Sequence, residues 1–227
     1  MEFSEADRLL DPEPMALEMG VERLPSGVLH VAVRTLMPGC TGAMFSWWFG
    51  WGCDTQKYVW WHPGDHVYSR WDSWEPGRNV GSEHVVEERL GGEEVLGLRI
   101  QFRDPAEFYS AEALEAARSS GVVSSLVNAR IGADLEPPRD DEGRVLGGRL
   151  FHVGRDTPQG MVLRSHFYLG QDLAGVKSPA ELEEEVPDAV GFGLMKHSNT
   201  EWMHLASFLP ALYVAENQER EPAPSLW

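Results

Sequence analysis

Gly193-Leu194-Met195-Lys196-His197-Ser198-Asn199-Thr200-Glu201-Trp202-Met203-His204-Leu205 is the run whose reading decides the fold. Laid on a helix at about 100° per residue, Val190, Leu194, His197, Glu201, His204, Phe208 and Leu212 form one narrow stripe. The stripe is otherwise apolar, so it faces a core. A buried carboxylate without a partner is costly, or takes up a proton. Glu201 therefore needs compensation. A hydrogen bond to His197, its i−4 neighbour, is one solution, and a metal ion shared with His197 is the other.

Working backward from this helix, the chain alternates between strand and turn signals. Met161 to Leu169 has Met161, Leu163, Ser165, Phe167 and Leu169 on one face, and His166 and Tyr168 on the other. With Arg149 to Val153 it forms a hairpin. Ser82 to Leu90 and Val95 to Arg103 form a second, turning at Gly91-Gly92. Leu29 to Val33 is a strand. Ala111 to Ala117 is a helix capped by Ser110, and Thr41 to Phe49 is a helix capped by Thr41. Residues 132–148 read as loop, and Leu173 to Asp188 as acidic loop or short helix. Pro210 interrupts the final helix. The order predicts an α+β domain, a curved antiparallel sheet wrapped on a long C-terminal helix. The expected divisions are an N-terminal arm over 1–27, one domain over 28–216, and a tail over 217–227.

Three further clusters carry chemistry. In Tyr58-Val59-Trp60-Trp61-His62-Pro63-Gly64-Asp65-His66, two histidines sit in a turn beside an aromatic-rich block, and either is a candidate ligand. In His84-Val85-Val86-Glu87-Glu88-Arg89-Leu90, alternation sets His84, Val86, Glu88 and Leu90 on the more apolar face. Glu88 is thus the better inward carboxylate, with Glu87 the alternative. His152 lies between Phe151 and Val153, whereas His166 falls on the outward face of its strand.

The bulk numbers bound the function. At 227 residues the chain suffices for one sizeable domain, and 42% hydrophobic with 24% charged residues is ordinary for a globular protein. A net charge of −17 without a basic patch excludes nucleic acid and anionic membranes as partners. There is no signal-peptide pattern and no apolar run of spanning length, so a cytoplasmic protein is expected. Two cysteines outside any paired motif, Cys40 and Cys53, agree with a reducing compartment. Nine Trp and nine Phe suit a dry pocket for a flat aromatic ligand, although most serve packing.

Tyr58 with Trp61-His62-Pro63-Gly64-Asp65-His66, His84 to Gly92, Phe102-Arg103-Asp104-Pro105, Leu163 to Gly170, and His197-x-x-x-Glu201 followed by Phe208-Leu209-Pro210 together resemble the diacetylphloroglucinol hydrolase family. Phloretin hydrolases are similar to it. The resemblance runs over about residues 40–215. It implies a helix-grip (START-like) fold with an internal hydrophobic cavity and one zinc ion per chain. Carried onto this sequence, the zinc ligands are His66, Glu88, His197 and Glu201. Tyr58 becomes a substrate-binding residue that assists catalysis, and His152 the acid/base histidine. The asparagine position of the family holds Ser69, and its pocket tyrosine falls on Phe167 or Tyr168. The implied reaction is zinc-dependent hydrolysis of the carbon–carbon bond between an acyl group and a phenolic ring. The expected partners are a small aromatic or polyketide substrate and a second copy of the chain. The competing readings are a non-catalytic binder of an aromatic ligand, and a metal-dependent lyase or isomerase on a polyketide.

Overall fold

The computed structural model describes residues 1–219 and Pro224. Eight strands form one antiparallel sheet: β1 (Gly20–Arg23), β2 (Leu29–Pro38), β3 (His66–Glu75), β4 (Arg78–Glu88), β5 (Leu96–Phe102), β6 (Ser125–Gly132), β7 (Gly148–Thr157) and β8 (Gly160–Leu169). Their order is β1-β2-β8-β7-β6-β5-β4-β3. Between the neighbours β2 and β8, the chain thus crosses to the far edge and returns by successive antiparallel pairings. Two helices make the crossing, α1 (Gly42–Gly50) and α2 (Thr55–Trp61). Thr41 caps α1 by accepting from the Met44 amide at 3.3 Å, and Asp54 caps α2 by accepting from Lys57 at 2.9 Å. Four more helices follow: α3 (Ala111–Ser120), α4 (Pro179–Glu185), α5 (Asp188–Ala206) and α6 (Leu209–Glu216). Pro210 lies in the first turn of α6, where its missing amide hydrogen costs nothing, and the chain breaks helix just before it.

Strand alternation divides the apolar residues between the two faces of the sheet. Val31, Val33, Leu150, Leu163 and Phe167 join Phe45, Trp48, Phe49, Trp202 and Leu205 from α1 and α5 in the inner core. Phe151, Val153 and Tyr168 point the other way, into a second cluster. That outer cluster is roofed by Ala6, Leu9 and Leu10 of an N-terminal 3-10 helix (Phe3–Leu10) and by Leu114 and Ala117 of α3. Residues 1–27, expected as an irregular lead-in, therefore contain this helix and strand β1. Arginines from the sheet hold the segment down. Arg155 Nη2 donates to the Leu9 and Asp11 carbonyls at 2.6 and 2.7 Å, and Arg164 donates to the Asp11 and Glu13 carbonyls at 2.6 and 2.7 Å. The partners lie 144 to 153 residues away in sequence, so the polar composition of the segment does not reveal them.

α5 lies across the concave side of the sheet. Gly191 touches Val21, Leu29 and Val31, and a Cβ there has no room. Gly193 meets the turn after β4 even more closely: a Cβ on it falls 2.1 Å from the Leu90 carbonyl oxygen. Gly91, at φ 80°, would place its own Cβ 2.9 Å from Gly193 Cα. Two bare glycines thus let the helix approach the end of β4, which sets Glu88 opposite His197 and Glu201. The buried face of α5 is Gly191, Leu194, His197, Ser198, Glu201, Trp202 and Leu205. His204, expected on the core stripe, is exposed instead, because Trp202 and Leu205 take the inward positions and the helix ends at Ala206.

Candidate active site

Three elements bring four acceptors to one point. His66 opens β3, Glu88 closes β4, and the two face each other directly in the strand register. His197 and Glu201 are one turn apart on α5. The His66 Nε2 atom lies 3.7 Å from Oε2 of both Glu88 and Glu201. His197 Nε2 lies 3.9 Å from Glu88 Oε2 and 4.0 Å from Glu201 Oε2. All four side chains are buried. Ligand atoms of His66, His197 and Glu201 fall within 4.8 Å of one another.

The hydrogen-bond partners determine which nitrogens carry protons. His66 Nδ1 lies 2.8 Å from the Tyr58 backbone carbonyl, which only accepts, so the ring hydrogen is on Nδ1. Nε2 then presents a lone pair, and it has no hydrogen-bond partner. His197 Nδ1 donates to Asp65 Oδ2 at 3.1 Å, so its Nε2 is also a lone pair. Two lone pairs and two carboxyl groups face one another, and the Tyr58 hydroxyl donates to Glu88 Oε2. Such a set repels itself unless a cation sits within it or Glu201 takes up a proton. Tetrahedral ligands about 2.0–2.2 Å from a zinc ion are about 3.3–3.6 Å apart, so slight contraction would close this cluster on one.

Electrostatics agree with that fit. Burial, then the charges of Glu88 and Asp65, hold the Glu201 carboxyl well above the usual carboxylate range. Burial, then His197, pushes His66 down to about 2. A cation would keep Glu201 deprotonated and has an unprotonated imidazole waiting.

The neighbouring His62, Asp65 and His197 also lie close enough to suggest a metal group. The tautomer of His62 argues otherwise. The Asp65 amide donates to His62 Nδ1 at 3.2 Å, so the hydrogen is on Nε2, 3.4 Å from Asp65 Oδ2. Asp65 thus receives the N–H of His197 and orients that ring, while His62 stacks on it with centroids 4.7 Å apart and its own Nε2 left without a hydrogen-bond partner. Asp65→Ala is expected to weaken metal binding about 10–100-fold, as loss of an outer carboxylate partner does elsewhere, measured by competition with a chelator. Unchanged affinity would remove Asp65 from the site.

The cluster opens onto a cavity of about 360 Å³. Its wall includes Tyr58, His84, His152, Phe49, Trp61, Phe167 and Trp202. His152 is buried, with Nδ1 2.8 Å from Ser165 Oγ and its ring edge-on to Trp202 at 4.8 Å. Phe167 faces the cavity. Tyr168 does not: alternation turns it to the outer face, where it stacks on His30 at 4.7 Å, and its expected substrate role is withdrawn. His166 shares that face, within 2.9 Å of His30. Ser69 is likewise off the cavity wall. Its hydroxyl donates to the Cys53 carbonyl at 2.8 Å and accepts from His84 Nε2 at 2.6 Å, so His84 occupies the wall position in front of it. Sequence alternation had put His84 on the face of Glu88 without giving it a role.

Burial pushes His84 and His152 both down to about 3. In the unfolded chain each titrates near 6.5. A depressed folded-state value means that stability present above about pH 6.5 is lost as pH falls toward 3. The urea midpoint of the metal-free Glu201→Gln protein, which lacks the raised carboxyl that titrates with the opposite sign, is expected to drop steadily between about pH 6.5 and 4. A flat profile across the acid range would contradict the burial of these rings.

A family model described as DAPG hydrolase PhiG domain matches residues 1–214. The 2,4-diacetylphloroglucinol hydrolase of Pseudomonas protegens is 29% identical over 233 residues, covering 93% of this chain and 72% of that protein. The phloretin hydrolase of Eubacterium ramulus is 27% identical over 236 residues, covering 94% of this chain and 78% of that protein. Among solved structures, protein Ms6760 from Mycobacterium smegmatis aligns with a TM-score of 0.46 at 11% identity, over 86% of this chain and 98% of that one.

Proposed function

The chain belongs to the DAPG hydrolase PhiG domain family, and from that premise we propose that it hydrolyses the carbon–carbon bond joining an acyl group to a phenolic ring, using one zinc ion. The observation that carries this reading is the convergence of two unprotonated imidazole nitrogens and two carboxylates beside an aromatic cavity that contains His152. His66, Glu88, His197 and Glu201 would hold the metal. When bound, zinc supplies Lewis acidity toward an oxygen of the substrate or a water. The sheet and α5 then form a helix-grip scaffold over residues 28–216, and the reaction belongs to the cytoplasm. Among the described residues no helix is long and apolar enough to cross a membrane.

Expulsion of an aryl carbanion is prohibitive, so the ring carbon bearing the acyl group must gain a proton first. His152 is neutral because it is buried. A neutral imidazole begins as a base: it takes the proton of a ring hydroxyl and returns it to the ring carbon, converting phenol to its keto tautomer. Ser165 holds His152 Nδ1 and so orients the ring. Water then adds to the acyl carbonyl. The bond to the ring breaks with its electron pair passing into the ring ketone, which restores the phenol. The products are a carboxylic acid and the deacylated ring. Tyr58 gives its hydrogen to Glu88, which leaves its oxygen as an acceptor for a substrate hydroxyl. Trp61 and Trp202, with centroids 5.0 Å apart, exclude bulk water from the reacting centre.

The test is turnover of a panel of acylphloroglucinols by zinc-loaded protein, with both products identified and bound metal counted by elemental analysis. One zinc per chain and release of acid plus deacylated ring are expected. Stoichiometric zinc with no cleavage of any member would overturn the hydrolase assignment.

A further inference from the structure

We propose that the preferred substrate is a phenolic ketone with an extended hydrocarbon acyl group, its ring in an aromatic chamber beside His152 and its acyl chain in a separate aliphatic chamber. The proposal rests on the hydrolase reading above and deepens it.

Four elements carry the same gradient along the cavity. On α5 the lining residues run Val190 and Leu194, then His197 and Glu201, then Trp202. On β5 they run Leu96, Leu98 and Ile100, then Phe102. β7 runs in the direction of β5 and ends its lining at His152, while β8 runs the opposite way and reads Phe167, then Leu169. Aliphatic residues therefore gather at one end and aromatic residues at the other, with His197 and Glu201 between them.

The aromatic end is one contiguous set around His152. Its ring lies 4.8 Å from Trp202, 5.9 Å from Phe167 and 6.2 Å from Phe49, and Phe49 lies 5.7 Å from both Trp61 and Phe102. A flat phenol belongs there, because its ring carbon must meet His152. The other substituent of the carbonyl is then directed past the metal ligands to the aliphatic end. Val190 precedes His197 by two helical turns, about 10 Å, which an acetyl group leaves mostly empty. The side chains there, Leu96, Leu98, Ile131, Leu169, Val190 and Leu194, offer no hydrogen bond, and Glu185, the one charged residue at that end of the wall, is exposed and paired with Lys177. Gly148 pairs with Ile131 and adds no side chain to the wall. A polar acyl group in this chamber would be stranded, at a cost of about ten- to a hundredfold in affinity. A hydrocarbon chain gains from every methylene it buries.

The experiment uses zinc-loaded protein and monoacylphloroglucinols carrying acetyl, butanoyl, hexanoyl and octanoyl groups. The expected kcat/KM rises about fourfold per methylene until the chamber is full. Affinity for the same series, read by quenching of tryptophan fluorescence, should rise in parallel. Leu98→Phe, which fills the chamber, should lower the octanoyl-to-acetyl ratio of kcat/KM by tenfold or more. A ratio unchanged in the variant, or a series that is flat or falls from acetyl, overturns the proposal. Failure of the hydrolase reading looks different: no member is cleaved, yet affinity still climbs with chain length if the chamber is correctly assigned.

Discussion

Glu201→Gln should empty the metal centre and abolish turnover, and in chelator it should melt no lower than the wild type. The first part follows from coordination. Gln keeps the shape and loses the charge, leaving one carboxylate and two imidazoles. The thermal part follows from linkage. A metal bound at about a thousand times its Kd stabilises by about 4 kcal/mol. At about 2–4 °C per kcal/mol for a chain of this size, chelator should lower the wild-type Tm by about 8–16 °C and leave the variant unmoved. The sign in chelator is the sharper check. The Glu201 carboxyl is held well above its ordinary value, so at pH 7 folding of the metal-free wild type either buries a charge or takes up a proton, and both cost stability. Gln removes that burden. Four equal melting temperatures, for both proteins with and without chelator, would make Glu201 an ordinary buried carboxylate.

His152→Ala should retain one zinc per chain and lose about 10²–10⁴ in kcat, the usual worth of a positioned acid/base. Its ring is buried among Phe45, Phe49, Phe167 and Trp202, so some stability is lost too. Metal content separates the two effects: a folded, zinc-loaded and inactive variant is the expected result. His166→Ala is the contrast. That ring lies on the other face of the sheet against His30, so the variant should keep its turnover whatever it loses in stability. Active His152→Ala beside inactive His166→Ala would mean that the strand faces are reversed. Tyr58→Phe should raise KM more than it lowers kcat, because it removes an acceptor for the substrate and a donor to Glu88.

Some of this was legible in one dimension. The i, i+4 spacing of His197 and Glu201 on a mostly apolar helix marks a buried pair that needs a partner. Period-2 alternation chose Glu88 over Glu87 and put Phe167 inward and His166 outward, as the strands have them. The same alternation assigns Tyr168, one of the two residues at the family's pocket-tyrosine position, to the outer face. Other elements were illegible for identifiable reasons. β3 is an exposed edge strand whose alternation is weak beyond His66 and Ser69. β6 buries Asn128 and Arg130, whose polarity masks a strand, and the Arg130 charge is met by Glu107 and Asp172.

What the sequence determined by itself was therefore local: which residues share a face, where helices begin, and which side chains have metal-binding chemistry. Only the tertiary structure distinguishes His62 from His66. Both are buried imidazoles in one turn, and the difference lies in which nitrogen a backbone group occupies. The Asp65 amide uses the lone pair of His62, while the Tyr58 carbonyl takes the hydrogen of His66 and leaves its lone pair facing the cluster. The convergence itself joins residues more than a hundred positions apart, and it depends on Gly91 and Gly193 allowing α5 to reach the end of β4. Periodicity reports the direction of a side chain from its own backbone, whereas a metal site requires directions from three elements to meet at one point, and their meeting is set by packing.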